Sequence, residues 1–532
     1  MKLKIPAIPE NISAAEKSTW TIGSPVGCDR KFRHHRLSHL PPRISNAIAK
    51  KYRKLYSKAG LQTANLYLLR ISEYLTFTTV NLALSDESLK LHGKSMVTKA
   101  FSFKQLISDE LALYDVLCKM ANKSLIPPPI VSETISLSGA INRFRDEQWW
   151  IRKARSIHKY RFEVGMISAG LVHKHSAKYI SDETYKRHQE QKDRNRRVLD
   201  LLIATNDIDE NEYSLSDLIS HSQANPKNRR YELMVRIAGS DQIAKDLNHD
   251  GVFITLTCPS RMHPIYAKSG DINPLYDGTD PKQAQYYLTS LWKRIRAKLK
   301  RDLIHIYGIR VAEPQHDGTP HWHLLIFSDP KNTTKIKAIC SHYALQDSPN
   351  EKGAQKHRIT FDMIDRNKGS AVGYIAKYIS KNIDAEHIDK DLDGHDAKSS
   401  ALRVEAWAST FGIRQFQMFG CPPVTIWREL RRLNGAPEGV LQQAYSAADS
   451  GNWALFIEAL GGIEQDKKNL PIKVLKLWSD EEGKYGDPKG ESIQGITDGI
   501  QDAISRDKIW TISRKENNVT DSVRMEGRSP PS

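Results

Sequence analysis

Acidic residues are in short supply in this chain: 62 Asp and Glu face 79 Lys and Arg, a formal net charge of +17 over 532 residues. That balance disfavours a positively charged partner and points to a polyanion, because releasing counterions from phosphates is the main source of non-specific nucleic-acid affinity. An anionic membrane surface would suit the same charge, but there is no lipidation motif or amphipathic anchor, and no run approaches 18 apolar residues. No membrane partner is expected. Cysteine is scarce too: Cys28, Cys118, Cys258, Cys340 and Cys421 form no Cys-x-x-Cys pair, which excludes a thiolate metal site and agrees with a reducing compartment. No Gly-x-x-x-x-Gly-Lys-[Ser/Thr] occurs, so no P-loop ATPase is expected. The first residues, Met1-Lys-Leu-Lys-Ile-Pro6, have lysines without an apolar core and do not resemble a signal peptide. The expectation is a soluble, intracellular protein of two to four domains, with ordinary cores from its 39% hydrophobic content.

What is present centres on Glu313-Pro-Gln-His-Asp-Gly-Thr-Pro-His-Trp-His-Leu-Leu-Ile-Phe327. In a strand alternate side chains share a face, so His321 and His323 point one way while Trp322 and Leu324 point the other. With 19 His in the chain, one His-x-His triplet is about what chance supplies, and His173-Lys-His175 is read as that copy. The flanking residues carry the argument. Asp317-Gly318 signals a hairpin turn, and Ile306 to Glu313 alternates as a strand. If Glu313 faces His321 across the loop, then Val311 faces His323, and Glu313, His321 and His323 share a face. Two imidazoles and a carboxylate leave open positions on a divalent ion, as a catalytic site needs.

Some fifty residues on, Val372-Gly-Tyr-Ile-Ala-Lys-Tyr-Ile-Ser-Lys-Asn382 has the apolar spacing of an amphipathic helix through Val372, Ile375, Ala376 and Ile379. Tyr374, Tyr378, Lys377 and Lys381 fall on the opposite side, so both phenols are expected to leave the core, one turn apart. Two hydroxyls beside two ammonium groups suit successive attacks on phosphates. A phenol with an ordinary pKa of about 10 is a poor nucleophile at neutral pH. Lys377 or Lys381 would favour the phenolate, and a metal would polarise the phosphate. No general base stands out. The combination reads as a metal-assisted, tyrosine-dependent DNA nickase.

At these residues the chain resembles a known family. Phe253-Ile-Thr-Leu-Thr-Cys-Pro-Ser260, Gly318-Thr-Pro-His-Trp-His323 and Gly373-Tyr-Ile-Ala-Lys-Tyr-Ile-Ser-Lys381 look like the three ordered motifs of HUH endonucleases, most closely the replication gene A proteins of P2-like phages. The likeness is specific over about 240–435 and looser at basic stretches such as Phe32-Arg-His-His-Arg36. It implies that His321 and His323 hold Mg2+ or Mn2+ and that Tyr374 and Tyr378 are the paired tyrosines. In such enzymes one tyrosine cuts single-stranded DNA at a replication origin, becomes linked to the 5′ phosphate, and frees a 3′ hydroxyl that primes rolling-circle synthesis. The third ligand varies across these enzymes, so Gln315 or His316 competes with Glu313. Host helicase and polymerase would be the partners, and the bacterial host cytoplasm the location. A mobilisation relaxase is an alternative, but relaxases usually carry the tyrosine near the N-terminus and three histidines in the metal motif. A non-catalytic nucleic-acid-binding protein leaves the tyrosine helix unexplained.

The fold class expected is α+β: a central nickase domain (236–435) with a mainly antiparallel sheet flanked by helices, after a mostly helical, basic region (1–235) broken at Pro127-Pro-Pro129 and Asn225-Pro226. In that region Trp149 and Trp150, with nearby cations, are either a base-stacking surface or plain helix core. Lys186 to Arg197 reads as a basic helix face that is either solvated or bound to phosphate. Val252 to Thr257 is expected as a strand, Tyr286 to Leu299 as a basic helix, and Ile426 to Leu433 as a closing helix capped near Gly435, with Arg428, Arg431 and Arg432 turned to solvent or DNA. In the last region (436–532), the Gly-, Asp- and Ser-rich stretch beyond about 465 is expected to be a loose tail.

Overall fold

The structure, a computed structural model, describes residues 12–22, 28–76, 85–208, 211–267, 269–271, 273–367, 369–385, 396–515 and 525–526. Met1 to Pro6, read above for a signal sequence, lie outside them. Two compact units are present, neither continuous in sequence, in place of three successive regions with boundaries at 235 and 435: one is Met1–Ser181 with Pro264–Ile272 and Trp478–Gly490, the other is Asp182–His263, Asn273–Leu477 and Glu491–Ser532.

The first unit is helical. Its helices Asp86–Leu106, Glu110–Lys123, Leu137–Phe144 and Glu147–Ser168 each start behind a Ser or Asp (Ser85, Asp109, Ser136, Asp146) whose side chain accepts a first-turn N–H. The three prolines at 127–129 fall between helices, as expected. Trp149 and Trp150 are buried with Phe144, and the Trp150 indole donates to the Phe144 carbonyl at 2.7 Å. They are core residues, not a stacking platform.

In the second unit the strands are, in chain order, β1 (Leu202–Asn206), β2 (Tyr213–Ser214), β3 (Asp250–Leu256), β4 (Tyr307–Pro314), β5 (Pro320–Ser328), β6 (Ile359–Met363), β7 (Phe416–Phe419), β8 (Lys473–Glu482), β9 (Pro488–Thr497), β10 (Asp502–Ile504), β11 (Trp510–Arg514) and β12 (Met525–Glu526), the β8–β9 tip belonging to the first unit. The central sheet runs β6-β3-β5-β4-β7, antiparallel throughout. Its strands are apolar on both faces because helices cover both. On one face Phe253, Ile309, Val311, Leu325 and Phe327 pack with Ile375, Ile379 and Ile383 of the tyrosine helix, Ala371–Ile383, and with Leu233 and Ile237 of the helix Pro226–Asp246. On the other, Trp322 donates its indole N–H to Gln285 of the helix Pro281–Arg301 at 2.9 Å. Each fully buried aliphatic or aromatic side chain contributes roughly 2 kcal/mol of transfer free energy.

Two expectations need correction. Instead of a loose tail past 465, strands β8 to β11 occupy 473–514. Gly and Asp there punctuate turns, with Gly486 at φ 80° and Gly499 at φ 89°, while Val474, Leu475, Ile493, Ile496 and Ile512 supply the strands between. β11 pairs antiparallel with β1, so strands some 300 residues apart in sequence share one small sheet, and the last region is divided between the two units. The closing helix is shorter than expected, Val424–Leu430, and ends five residues before Gly435; Arg428 is held by Glu232 at 2.8 and 2.9 Å.

Gly308 of β4 has φ 147°, and a Cβ there would stand 1.9 Å from the Leu325 carbonyl oxygen of β5. Gly308→Ala should cost ~3 kcal/mol or more in urea unfolding, because the clash is with backbone. Gly412→Ala, at φ 64° with nothing within 4 Å, should cost only ~1 kcal/mol of strain. Equal losses would contradict the packing of β4 on β5.

Candidate active site

The β4–β5 register is the one the sequence suggests: Glu313 pairs with His321 and Val311 with His323. The strands are joined by a tight loop, closed by the Gln315 N–H donating to the Thr319 carbonyl at 2.7 Å, with Gly318 at φ 84°. Three ligand atoms converge. His321 Nε2 and His323 Nε2 lie 2.9 Å apart, and 3.7 and 3.5 Å from Glu313 Oε2. Among the described residues this is the group of His, Cys, Asp and Glu able to hold a metal ion; neither His316 nor the His173–His175 pair joins it.

Glu313 is 1% exposed. Burial by itself would raise its pKa, but the His323 hydrogen bond and the Lys381 and histidine charges outweigh that and hold the carboxyl well below the usual carboxylate range. Burial, then the neighbouring His323, pulls His321 down to about 3. A charged carboxylate beside a neutral imidazole is a donor set for a divalent cation. Thr255 on β3, paired with His323, places its hydroxyl oxygen 3.1 Å from His323 Nδ1. With Nδ1 donating there, the Nε2 lone pair is left for a ligand role.

The tyrosine helix docks by its C-terminal half. Lys381 donates to Glu313 at 3.3 Å, and the buried Asn382 amide donates to the same carboxylate. Tyr378 lies against the ligands: its ring centroid is 4.0 Å from His323 and 5.2 Å from Phe253, which itself stacks on His323. Tyr378 therefore does not leave the core as the helical wheel suggests; it is half-buried and packed on it. Burial and the Glu313 charge raise its pKa, outweighing the opposite effect of Lys381, so the lysine does not turn this phenol into a ready phenolate. Lys377 is exposed, and Tyr374, one turn earlier, takes no part in these ring contacts. Glu313, His321, His323, Tyr378 and Lys381 thus come together; Tyr374 and Lys377 stand beside the cluster.

Sequence reasoning missed Thr255 and Asn382. Thr255 has a findable signal, since it alternates with Phe253 on the face that β5 turns to the site. Asn382 has a weaker one, a polar amide four residues after Tyr378 where the apolar stripe calls for a hydrophobe. Missed as well was His263, whose Nδ1 donates to the fully buried Asp317 at 2.9 Å and pins the hairpin loop.

Despite burial, which lowers it, the Asp317 charge raises the His263 pKa above 6.5, and Asp317 is correspondingly lowered. The His263 contribution to stability is therefore complete below its unfolded pKa of about 6.5 and lost as pH rises through the raised folded value. The Asp317 contribution is present above about 4 and lost as pH falls through its depressed value. Between those limits the pair is fully stabilising. His263→Gln should lose most relative to the parent between about pH 4 and 6.5, with the gap narrowing above that window. A gap in melting temperature that stays constant from acid to alkaline pH would contradict this.

A family model, bacteriophage replication gene A protein (GPA), matches residues 83–386. The chain is 37% identical over 389 residues to the replication protein of Haemophilus phage HP1, covering 71% of this chain and 49% of that protein. It is 39% identical over 412 residues to the replication gene A protein of Escherichia phage 186, covering 74% and 59%. A probable replication endonuclease from a prophage-like region of Salmonella paratyphi A is 32% identical over 406 residues, covering 72% and 50%. The chain therefore spans about half the length of such relatives. No solved structure matches it. On the extent of the family match, the chain belongs to the bacteriophage replication gene A protein family.

Proposed function

We propose that this chain is a replication-initiating endonuclease of the HUH type, nicking single-stranded DNA at an origin through a phosphotyrosine and later rejoining it. The observation that carries the reading is the packing of the Tyr378 ring on His323 beside Glu313 and His321, a nucleophile and a donor set on one face of one sheet. The names of relatives, replication gene A protein and probable replication endonuclease, support it.

Glu313, His321 and His323 would hold the divalent ion, Mg2+ or Mn2+. When bound, the ion supplies positive charge to a scissile phosphate. The chain's own residues supply the rest. The tyrosine oxygen attacks phosphorus, the phosphorus–O3′ bond breaks, and the leaving 3′ oxygen takes up a proton as the phenol loses one. One phosphodiester replaces another, so rejoining needs no ATP. Burial of Tyr378 against His323 and Phe253 holds its ring in one orientation, which lowers the entropy cost of attack. Lys381 and Asn382 hold Glu313 in place. Lys377, exposed beside Tyr374, is assigned to the DNA backbone. After one round Tyr374 and Tyr378 exchange roles: one holds the 5′ phosphate while the other cuts the regenerated origin, and the released 3′ hydroxyl closes the circle. Unwinding and extension are assigned to a host helicase and polymerase, in the host cytoplasm.

Incubation with single-stranded origin DNA and Mg2+ or Mn2+ should give an adduct that resists denaturation. His321→Ala or His323→Ala should abolish it while leaving DNA binding largely intact, since binding rests on dispersed cations. Tyr374→Phe and Tyr378→Phe should each retain some single-turnover nicking but lose coupled cutting and joining, and the double variant should form no adduct. Cleavage by the parent in excess chelator would refute the metal role. Asn382→Leu should weaken Mn2+ binding ~10–100-fold in calorimetric titration through loss of Glu313 orientation; unchanged affinity would remove Asn382 from the site.

A further inference from the structure

A second cleft lies in the same unit, built by residues that take no part in the site above. It encloses about 470 Å³ between the helix Val424–Leu430, the segment after β10 and the end of the helix Leu215–His221 with the two residues that follow it. Five cations meet there, Arg428, Arg431, Arg432, Arg506 and Lys508, against three carboxylates, Glu232, Glu429 and Asp507. The walls are fixed. Ser505 and Arg506 both donate to the buried Glu429, at 2.6 and 2.8 Å, and Arg428 grips Glu232 in a fork. Asn434 donates to Asp507 at 3.2 Å, and the Ile509 N–H donates to Asp207 at 2.8 Å.

Two features of this cleft bear on what it can hold. Positive charge is in excess: burial and the guanidiniums of Arg506 and Arg428 outweigh Glu429 and hold Arg432 below its usual pKa. The indole N–H of Trp427, a lining residue only 1% exposed, finds no acceptor among the described residues. Like charges held together repel, and an oxyanion in the cleft relieves that repulsion. At the rim stands the half-buried ring of Trp510, braced edge-on by Tyr213 at 5.6 Å. A phosphate site with an aromatic face beside it fits a nucleotide with an unstacked base; a duplex keeps its bases paired and leaves the ring unused.

We propose that this cleft holds a phosphate of a single-stranded DNA segment, with a base against Trp510, as a binding site apart from the catalytic centre. The ligand chemistry, a phosphate oxyanion, is shared with free phosphate and mononucleotides. The strand is favoured because the chain as a whole carries +17.

The test is fluorescence anisotropy of labelled oligothymidylate with the full chain in excess chelator, so that its outcome does not depend on metal chemistry or cleavage. Arg431 is exposed and caps no buried carboxylate, so Arg431→Glu should fold normally; it should weaken binding ~10-fold and reduce the log–log salt slope by about 0.7. Arg431→Lys should restore both. Trp510→Leu should also weaken binding ~10-fold, and Trp510→Phe should remove a fluorescence quench that the parent shows on adding oligothymidylate. Unchanged affinity in Arg431→Glu and Trp510→Leu overturns the proposal. So does an equal loss for duplex DNA, or competition by inorganic phosphate as effective as that of oligothymidylate. If adduct formation fails while these effects appear, the nickase reading falls and the cleft stands; the reverse result separates them the other way.

Discussion

A charged, buried carboxylate organises the centre of the second unit. Glu313 is buried at the end of a central strand, and an ion so placed is tolerated only if its oxygens are satisfied. Its partners come from two directions. Two histidines reach it from the neighbouring strand, and Lys381 with Asn382 reach it from the last turn of the tyrosine helix. Satisfying one charge therefore seats the helix on the sheet and sets Tyr378 against His323. The apolar stripe of the helix would bury equally well with some axial sliding. The polar contacts at its C-terminal end choose the position.

That anchoring makes the two tyrosines unlike. Tyr378 is clasped between His323 and Phe253, with its phenol pushed up by burial and by Glu313, while Tyr374 stands a turn away from the clasp. A phenol held this way gains orientation and gives up acidity. The hairpin loop is braced independently, by His263 on Asp317 and by the Trp407 indole donating to the Gly318 carbonyl at 2.8 Å. Both contacts fall on the loop that joins β4 and β5.

Cations that look equivalent in composition have different tasks. Arg428 and Arg506 are tied to buried glutamates and shape a cleft, Lys192 is bound by Glu405 at 2.8 and 3.0 Å, and Arg194, Arg196 and Arg197 stand exposed on the helix Asp182–Asp200. Net charge therefore indicates the kind of partner without locating it.

Much of the site was legible beforehand because strand and helix periods are local and strict. Alternation put His321 and His323 on one face, the Asp-Gly turn set the register to Glu313, and the apolar spacing of Ile375 and Ile379 placed Tyr374 and Tyr378 on one helix; all of these depend on neighbours within a few residues. Composition failed past residue 465, where Gly and Asp mark turns and strand pairing with residues near 202 decides order. The helical wheel failed for Tyr378, because a wheel divides core from solvent and has no place for a side chain that packs on a buried histidine. Sequence alone determined the donor types, the strands and helix that carry them, and the sign of the partner's charge. Tertiary structure alone decided which ammonium and amide serve Glu313, which phenol meets the histidines, and which arginines converge on a second cleft, since each of those contacts joins residues dozens to hundreds of positions apart and depends on how helices dock on the sheet.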